Sequence, residues 1–170
     1  MADGTLPDLT VVIPVFEERE NLEPLVEEIE AVLGPLGLDR EILLVDDGSR
    51  DGSGEKISEL ARTRPGVRGL HFRENRGQSA AFDAGFKAAR GRIVVTMDAD
   101  LQNDPRDVPR LHEALEGRDA AVGFLRELHD SNQKTNDALE VQRVMSHVLG
   151  IVAAAPSNLE VALKEIGQAA

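Results

Sequence analysis

The chain has 170 residues, a formal net charge of −12, and no cysteine, tryptophan or tyrosine. Its length suits one globular domain with a single core. Without cysteine it can form neither a disulfide framework nor a thiolate zinc site, and its acidic balance argues against a general nucleic-acid-binding protein, which would carry a basic face.

Strand and helix patterns alternate along the chain. A nearly continuous apolar stretch at 9–15 predicts a strand covered on both faces. Leucine, valine and isoleucine then recur at helical spacing over 21–37. This alternation predicts an α/β fold with a mostly parallel sheet wound in right-handed crossovers. The further predicted strands lie at 41–49, 67–72, 92–100 and 119–124, and the further helices at 54–66, 77–91 and 105–117.

Acidic residues lie at the carboxyl ends of three of these strands: Glu18, Asp46 with Asp47, and Asp98 with Asp100. Ligands of open parallel sheets bind outside the carboxyl ends of the strands, so these side chains would line one crevice. An anionic crevice is costly unless something positive occupies it. A metal-bridged diphosphate would supply that charge, with Mg²⁺ or Mn²⁺ as the cation that carboxylate oxygens prefer.

Local explanations stay open for the same segments. Residues 98–100 would also suit a solvated turn, and residues 47–49 a tight turn followed by helix capping at Asp51 or Ser53. Residues 77–79, Gly-Gln-Ser, open a predicted helix, and helix initiation is the favoured interpretation of them. A turn and a ligand contact are compatible, so neither interpretation excludes the other.

Segments at these strand ends resemble those of a known family. They read VVIPVFEERENL at 11–22, EILLVDDGSRDGS at 41–53, NRGQSAAFDAGFKAARG at 75–91 and VVTMDADLQNDP at 94–105. In this order and spacing they resemble the nucleotide-binding half of the family-2 glycosyltransferases with a GT-A fold, above all the polyprenyl-phosphate and dolichyl-phosphate sugar transferases, such as dolichyl-phosphate mannose synthases. The resemblance covers about residues 8–126. It implies a Rossmann-like, mostly parallel sheet with flanking helices.

The resemblance also implies roles for individual residues. Phe16 stands where the family usually has tyrosine, so base stacking would survive while a hydroxyl contact is lost. Asp98 and Asp100 match the DXD element as catalytic residues, with Asp100 on the metal and Asp98 at the ribose or a metal-bound water. Arg126 matches a phosphate-contacting arginine only loosely, because the preceding spacing is one residue too long. The implied nucleotide-binding residues are Pro14, Phe16, Glu18, Val45, Asp47, Asp98 and Ala99, and the implied metal ligands are Asp100 and Gln102.

The chemistry implied by the resemblance is a metal-assisted inverting displacement. The phosphate oxygen of a polyprenyl or dolichyl carrier would displace UDP or GDP from the anomeric carbon of a sugar. A phosphate is already an anion and needs little help from a base, which fits four histidines outside every motif, read as surface or packing residues: His71, His112, His129 and His147. The alternative is a truncated or remodelled domain that binds nucleotide and metal, or only folds, without transfer activity.

The resemblance fails after Arg126, which suggests a division into residues 1–126 and a helical tail at 127–170. One helix is predicted from an apolar stripe and ends at Pro156. A second begins at a capping box of Ser157 and Glu160. This hairpin could dock on its own sheet, the favoured alternative, or form a homo-oligomer. The apolar residues of the two helices are Val141, Met145, Val148, Val152, Ala155, Leu159, Leu163 and Ile166.

Cellular location is the last expectation from the sequence. The first ten residues, MADGTLPDLT, lack the pattern of a secretory signal, and the apolar stretch at 144–155 is too short and too interrupted to span a bilayer. We therefore expect a cytoplasmic protein that reaches the cytoplasmic membrane face, if at all, through a partner.

Overall fold

The structure is a computed structural model that describes residues 6–109 and the backbone of two later strands at 120–123 and 149–153. Residues 107–109 are also helical. Within the described part of the chain, no helix is long and apolar enough to cross a bilayer. The strands are β1 (Leu9–Val15), β2 (Arg40–Asp46), β3 (Val67–His71), β4 (Ile93–Thr96), β5 (Ala120–Gly123) and β6 (Leu149–Ala153), and the helices are α1 (Leu22–Leu33), α2 (Ser53–Thr63) and α3 (Gln78–Ala88), with a 3-10 turn at Gly34–Leu36.

The strands form one sheet in the order β3-β2-β1-β4-β6-β5. The first four are parallel to one another, and β6 runs antiparallel to both of its neighbours. The predicted α/β architecture with a mostly parallel sheet is therefore confirmed. Because β1 lies between β2 and β4, the carboxyl ends of these three strands are adjacent.

Apolar side chains cover both faces of the parallel strands. On one face, alternate residues of β1 and β2 pack with α1 and α2, while Val12, Leu43 and Val45 pack with α3 on the other face. The α3 helix approaches closely because Gly85 has no side chain, and a Cβ there would overlap the side chain of Val12. Burial on both faces explains why β1 reads as a continuous apolar run.

The structure differs from the sequence prediction in the tail. Residues 149–153 form β6, paired with β4 and β5, so the prediction of a helix across Val152 is wrong there. A short apolar run cannot be assigned to a buried strand or a buried helix by its spacing alone. Here Ile151 and Val152 are β-branched, which suits a strand hydrogen-bonded on both edges. The rest of the predicted hairpin lies outside the described residues, as does any docking or pairing through it.

Polar residues form a hydrogen-bonded group at the amino-terminal ends of the parallel strands. Thr10 Oγ1 donates to Glu41 Oε2 at 2.8 Å, and the backbone N–H of Gly91 donates to Thr10 Oγ1 at 2.8 Å. Arg68 binds the other oxygen of Glu41 in an ion pair, and the backbone N–H of Arg90 donates to Glu41 Oε2 at 3.0 Å. The Glu41 carboxylate is thus 3% exposed and bound at both oxygens.

Candidate nucleotide site

A cleft of about 300 Å³ lies at the carboxyl ends of β1, β2 and β4. The structure brings most of the predicted nucleotide-binding residues together in its walls. Two predicted residues are absent from the lining: Val45, which is completely buried in the packing with α3, and Gln102, which is exposed. Arg126 lies outside the described residues. The lining residues are Pro14, Val15, Phe16, Glu18, Asp47, Gln78, Asp98, Ala99 and Asp100.

The first wall is the loop after β1, and three side chains from the turn after β2 hold its backbone. The N–H groups of residues 17, 18 and 19 donate to Ser49 Oγ, Ser53 Oγ and Asp51 Oδ2 at 3.0, 3.1 and 3.1 Å. Glu17 has a φ of 58°, a left-handed conformation that costs free energy unless the surroundings hold it. These three hydrogen bonds, which we call the loop clamp, therefore fix the path of the wall.

Asp51 also organises the start of α2, although the N-cap of this helix is Gly52 and neither of the two predicted capping residues, Asp51 and Ser53. Its Oδ1 accepts the backbone N–H of Ser53 at 2.9 Å and the Ser53 hydroxyl at 2.6 Å. Burial raises the pKa of Asp51, but the hydrogen bonds from Ser53 and from the backbone of Arg19 outweigh it, and the net pKa is lowered. The ionised carboxylate is the form that the loop clamp uses.

Phe16 and Glu18 are the side chains that this wall presents to the cleft. Phe16 is 47% exposed, which leaves much of its ring available to a ligand. Glu18 Oε2 accepts a hydrogen bond from Asn21 Nδ2 at 2.6 Å. The ring is thus open to contact, while the carboxylate is oriented by its own loop.

The second wall contains Asp47, and its neighbour Asp46 lies elsewhere. Asp47 is 3% exposed, and its two oxygens accept the backbone N–H groups of Arg76 and Gly77 at 2.7 and 2.8 Å. Each carboxylate oxygen has a second lone pair, so these bonds do not exhaust its capacity. Asp46 instead accepts the N–H of Ser49 and lies 3.4 Å from His71 Nδ1, away from the cleft lining.

The third wall is the turn after β4. This strand ends at Thr96, so Asp98 and Asp100 do not lie within a strand as the pattern over 92–100 had predicted. The backbone N–H of Asp98 donates to Asn103 Oδ1 at 2.8 Å, and Asp98 Oδ1 accepts Gln78 Nε2 at 2.9 Å. Asp100 Oδ1 accepts the backbone N–H of Gln102 at 3.0 Å. Short polar bonds within the turn therefore relieve part of the repulsion between the two acids.

Among the residues that the structure describes, no three histidine, cysteine, aspartate or glutamate side chains gather closely enough to hold a metal ion by themselves. The turn after β4 nevertheless places two carboxylates in one wall, with the amide of Gln102 beside them in sequence. Mg²⁺ is commonly bound by one or two carboxylates together with substrate phosphates and waters. The donor set therefore fits a cation that arrives with a diphosphate.

Sequence reasoning missed two features of the site. Gln78 was interpreted as part of a helix start, and it also lines the cleft. The polar residues of the turn after β2 were interpreted as local turn and capping residues, while the loop clamp shows that they also bind a distant loop. The high polar content of residues 47–53 was the available signal, but composition alone does not predict that these residues bind the loop after β1.

Comparison with known proteins decides the family. Residues 10–149 match the family model described as Glycosyl transferase family 2. The chain belongs to this family. The resemblance seen in the motifs is thereby confirmed, but the expectation that it fails after residue 126 is wrong, because the family match continues to residue 149.

Two relatives of this family-2 chain have names that combine a polyprenyl phosphate with a sugar. An undecaprenyl-phosphate 4-deoxy-4-formamido-L-arabinose transferase of Aeromonas hydrophila is 42% identical over 125 residues, which are 72% of this chain and 38% of the relative. A dodecaprenyl-phosphate galacturonate synthase of Rhizobium johnstonii is 39% identical over 126 residues, 72% of this chain and 37% of the relative. The chain thus spans less than half the length of either protein.

A solved structure shows the same fold. The mannosyltransferase from Pyrobaculum calidifontis, in complex with GDP-Man and Mn²⁺, matches with a TM-score of 0.64 and 20% identity. The match covers 88% of this family-2 chain and 45% of the mannosyltransferase. At this identity the likeness concerns the fold.

Proposed function

We propose that this chain is the donor-binding part of a glycosyltransferase that moves a sugar from a nucleoside diphosphate to a polyprenyl phosphate. The observation that carries the proposal is the cleft, in which one exposed aromatic ring and acids from three strand ends meet. The names of the relatives support a polyprenyl-phosphate acceptor, and the GDP-Man and Mn²⁺ of the structural neighbour support a nucleotide donor and a divalent cation.

The base and ribose would lie along the first and second walls. Phe16 would stack on the base through its exposed ring, with Pro14 and Glu18 beside it, and Asp47 would accept a ring N–H through a remaining lone pair. Val45 is completely buried, so its contribution would be to support the wall by packing with α3. The loop clamp would keep the aromatic wall in place before the nucleotide binds.

The diphosphate would lie at the third wall, near Asp98, Ala99 and Asp100. Asp100 and Gln102 would hold Mg²⁺ or Mn²⁺ through oxygen atoms, and Asp98 would contact the ribose or a metal-bound water. When bound, the cation supplies positive charge beside the leaving diphosphate. The attacking phosphate is already an anion, so the proposal assigns no general base.

A binding experiment tests the donor part of this proposal. We expect UDP or GDP, alone or as its sugar, to bind more tightly with Mn²⁺ than with EDTA in calorimetry and to raise the melting temperature. Asp100→Ala should remove most of the gain from Mn²⁺. The matched control is Asp83→Ala, because Asp83 is an exposed acid on α3 that pairs with Lys87, and its removal should leave affinity unchanged.

The possible outcomes separate the parts of the proposal. Equal affinity with Mn²⁺ and with EDTA contradicts the metal, and failure of every nucleotide to bind contradicts the donor site. Transfer is measured separately, by incubating the preferred nucleotide sugar with a polyprenyl phosphate and extracting glycosylated lipid. Tight donor binding without lipid product would favour a binding domain over a transferase.

A further inference from the structure

Gln78 lies in the cleft and forms a hydrogen bond that links two of its walls. It is the first residue of α3, and its side-chain amide donates to Asp98 Oδ1 at 2.9 Å. Asp98 belongs to the turn after β4, so this bond joins the start of a helix to the acidic wall. Helix initiation needs no such bond, because the Gln78 amide donates to a residue outside the helix.

The backbone leading to Gln78 is itself held in place. Asp47 accepts the N–H groups of Arg76 and Gly77, the two residues that precede Gln78. Gly77 has a φ of 88°, a conformation that residues with a side chain rarely adopt. The start of α3 is thus fixed by the buried acid of the second wall, which gives the Gln78 side chain a defined origin.

Asp98 is held from two directions. Its backbone N–H donates to the side chain of Asn103, which is 4% exposed, and its carboxylate accepts the amide of Gln78. A hydrogen bond to one carboxylate oxygen restricts rotation of the side chain. An amide donor does this without adding positive charge, so the wall keeps its negative charge, which an arginine or lysine at this position would offset.

We propose that Gln78 is a positioning residue that holds Asp98 in the orientation in which Asp98 contacts the bound nucleoside diphosphate. The inference rests on the proposed function, since it assigns Gln78 a role in the same cleft. A role confined to starting α3 would affect folding stability alone. A positioning role instead predicts that the effect of Gln78 on affinity depends on Asp98.

A double-mutant cycle measures that dependence. Affinity for GDP or UDP, whichever binds the wild type, is measured by calorimetry with Mn²⁺ for the wild type, Gln78→Ala, Asp98→Ala and the double variant. We expect Gln78→Ala to weaken binding about tenfold, as loss of one hydrogen bond to a charged group does. In the Asp98→Ala background, which lacks the acceptor of this bond, the same change should alter affinity by less than about twofold.

Ser79→Ala is the matched control, because Ser79 is the next residue of α3, is exposed and lies outside the cleft lining. Its affinity should equal that of the wild type, and circular dichroism melts should show all variants folded. Equal losses from Gln78→Ala in both backgrounds, or no loss in either, would overturn the positioning role while leaving the donor site intact. Failure of the wild type to bind any nucleoside diphosphate would instead overturn the proposed function, and this inference with it.

Discussion

Carboxylates occur at both edges of the parallel sheet, and the two sets are bound in different ways. At the amino edge, Glu41 is almost fully buried, forms an ion pair with Arg68 and accepts two further hydrogen bonds. At the carboxyl edge, the described residues that line the cleft include four acids and no arginine or lysine. Backbone N–H groups and side-chain amides, which are neutral, donate hydrogen bonds to these acids.

This difference in binding suggests different roles for the carboxylates at the two edges. A buried carboxylate that the chain itself neutralises contributes to folding, and removing its partner leaves an uncompensated charge. These hydrogen bonds from neutral groups add no positive charge to the cleft, and its cluster of acids can attract a cation or a ligand that carries one. Variants at the two edges should therefore affect different measurements.

The largest stability effect is expected for Arg68→Ala. This change removes the nearer of the two arginines that pair with the buried carboxylate of Glu41 and leaves Arg90 Nε at 4.0 Å, so it should lower the free energy of unfolding by about 3 kcal/mol. Urea unfolding measures it, with Lys87→Ala as the control, because the exposed pair of Lys87 and Asp83 should contribute less than about 0.5 kcal/mol. Nucleotide affinity should stay within about twofold of the wild type. Similar stability losses for Arg68→Ala and Lys87→Ala would show that the buried ion pair of Glu41 contributes no more to folding than an exposed one.

Asp47→Ala should affect both measurements. The backbone N–H groups of Arg76 and Gly77 lose a charged acceptor, and we expect a loss of about 2 kcal/mol in unfolding free energy. Because the start of α3 also carries Gln78 into the cleft, nucleotide affinity should fall as well. Asp83→Ala serves as the control for removal of one acid. A variant that loses affinity at unchanged stability would show that Asp47 acts through the ligand alone.

The smallest effect is expected from Asp51→Asn and concerns acid stability. The pKa of Asp51 is lowered from 3.8 in the folded protein, so ionisation of Asp51 favours the folded state above the unfolded pKa. This contribution is lost as the pH falls through the folded pKa. Melting temperatures measured from neutral pH down into this range should decline less steeply for Asp51→Asn than for the wild type. Parallel curves would mean that the ionised form of Asp51 contributes little to the loop clamp.

The sequence was informative where the structure is local and repetitive. Nearly continuous apolar runs and the alternation of strand with helix patterns predicted a parallel sheet. Acids at three strand ends predicted the cleft, because the carboxyl ends of parallel strands lie at the same edge of the sheet. The first departure came at Asp98, where a short turn replaced the last residues of a predicted strand, since carboxylates that can hydrogen-bond neighbouring backbone favour turns.

The other departures involve partners that are distant in sequence. The loop clamp joins residues 17–19 to residues 49–53, and Gln78 reaches Asp98, and neither pairing follows from the spacing of residues. Val45 was placed with Asp47 because the two share a motif, yet Val45 lies inside β2 and is buried in the packing with α3, while Asp47 lies beyond the end of the strand. Only the fold shows which neighbours in sequence are neighbours in the site.

The position of β6 also constrains the order in which the sheet can assemble during synthesis. β1 to β4 are complete once residue 96 has left the ribosome, but β6, which pairs with the other edge of β4, ends at residue 153. Until then β4 presents a row of unpaired N–H and C=O groups, the template on which other chains can add as an extra strand. Emerging chains are therefore most exposed to aggregation in this interval, and conditions that slow translation between these two strands would prolong it.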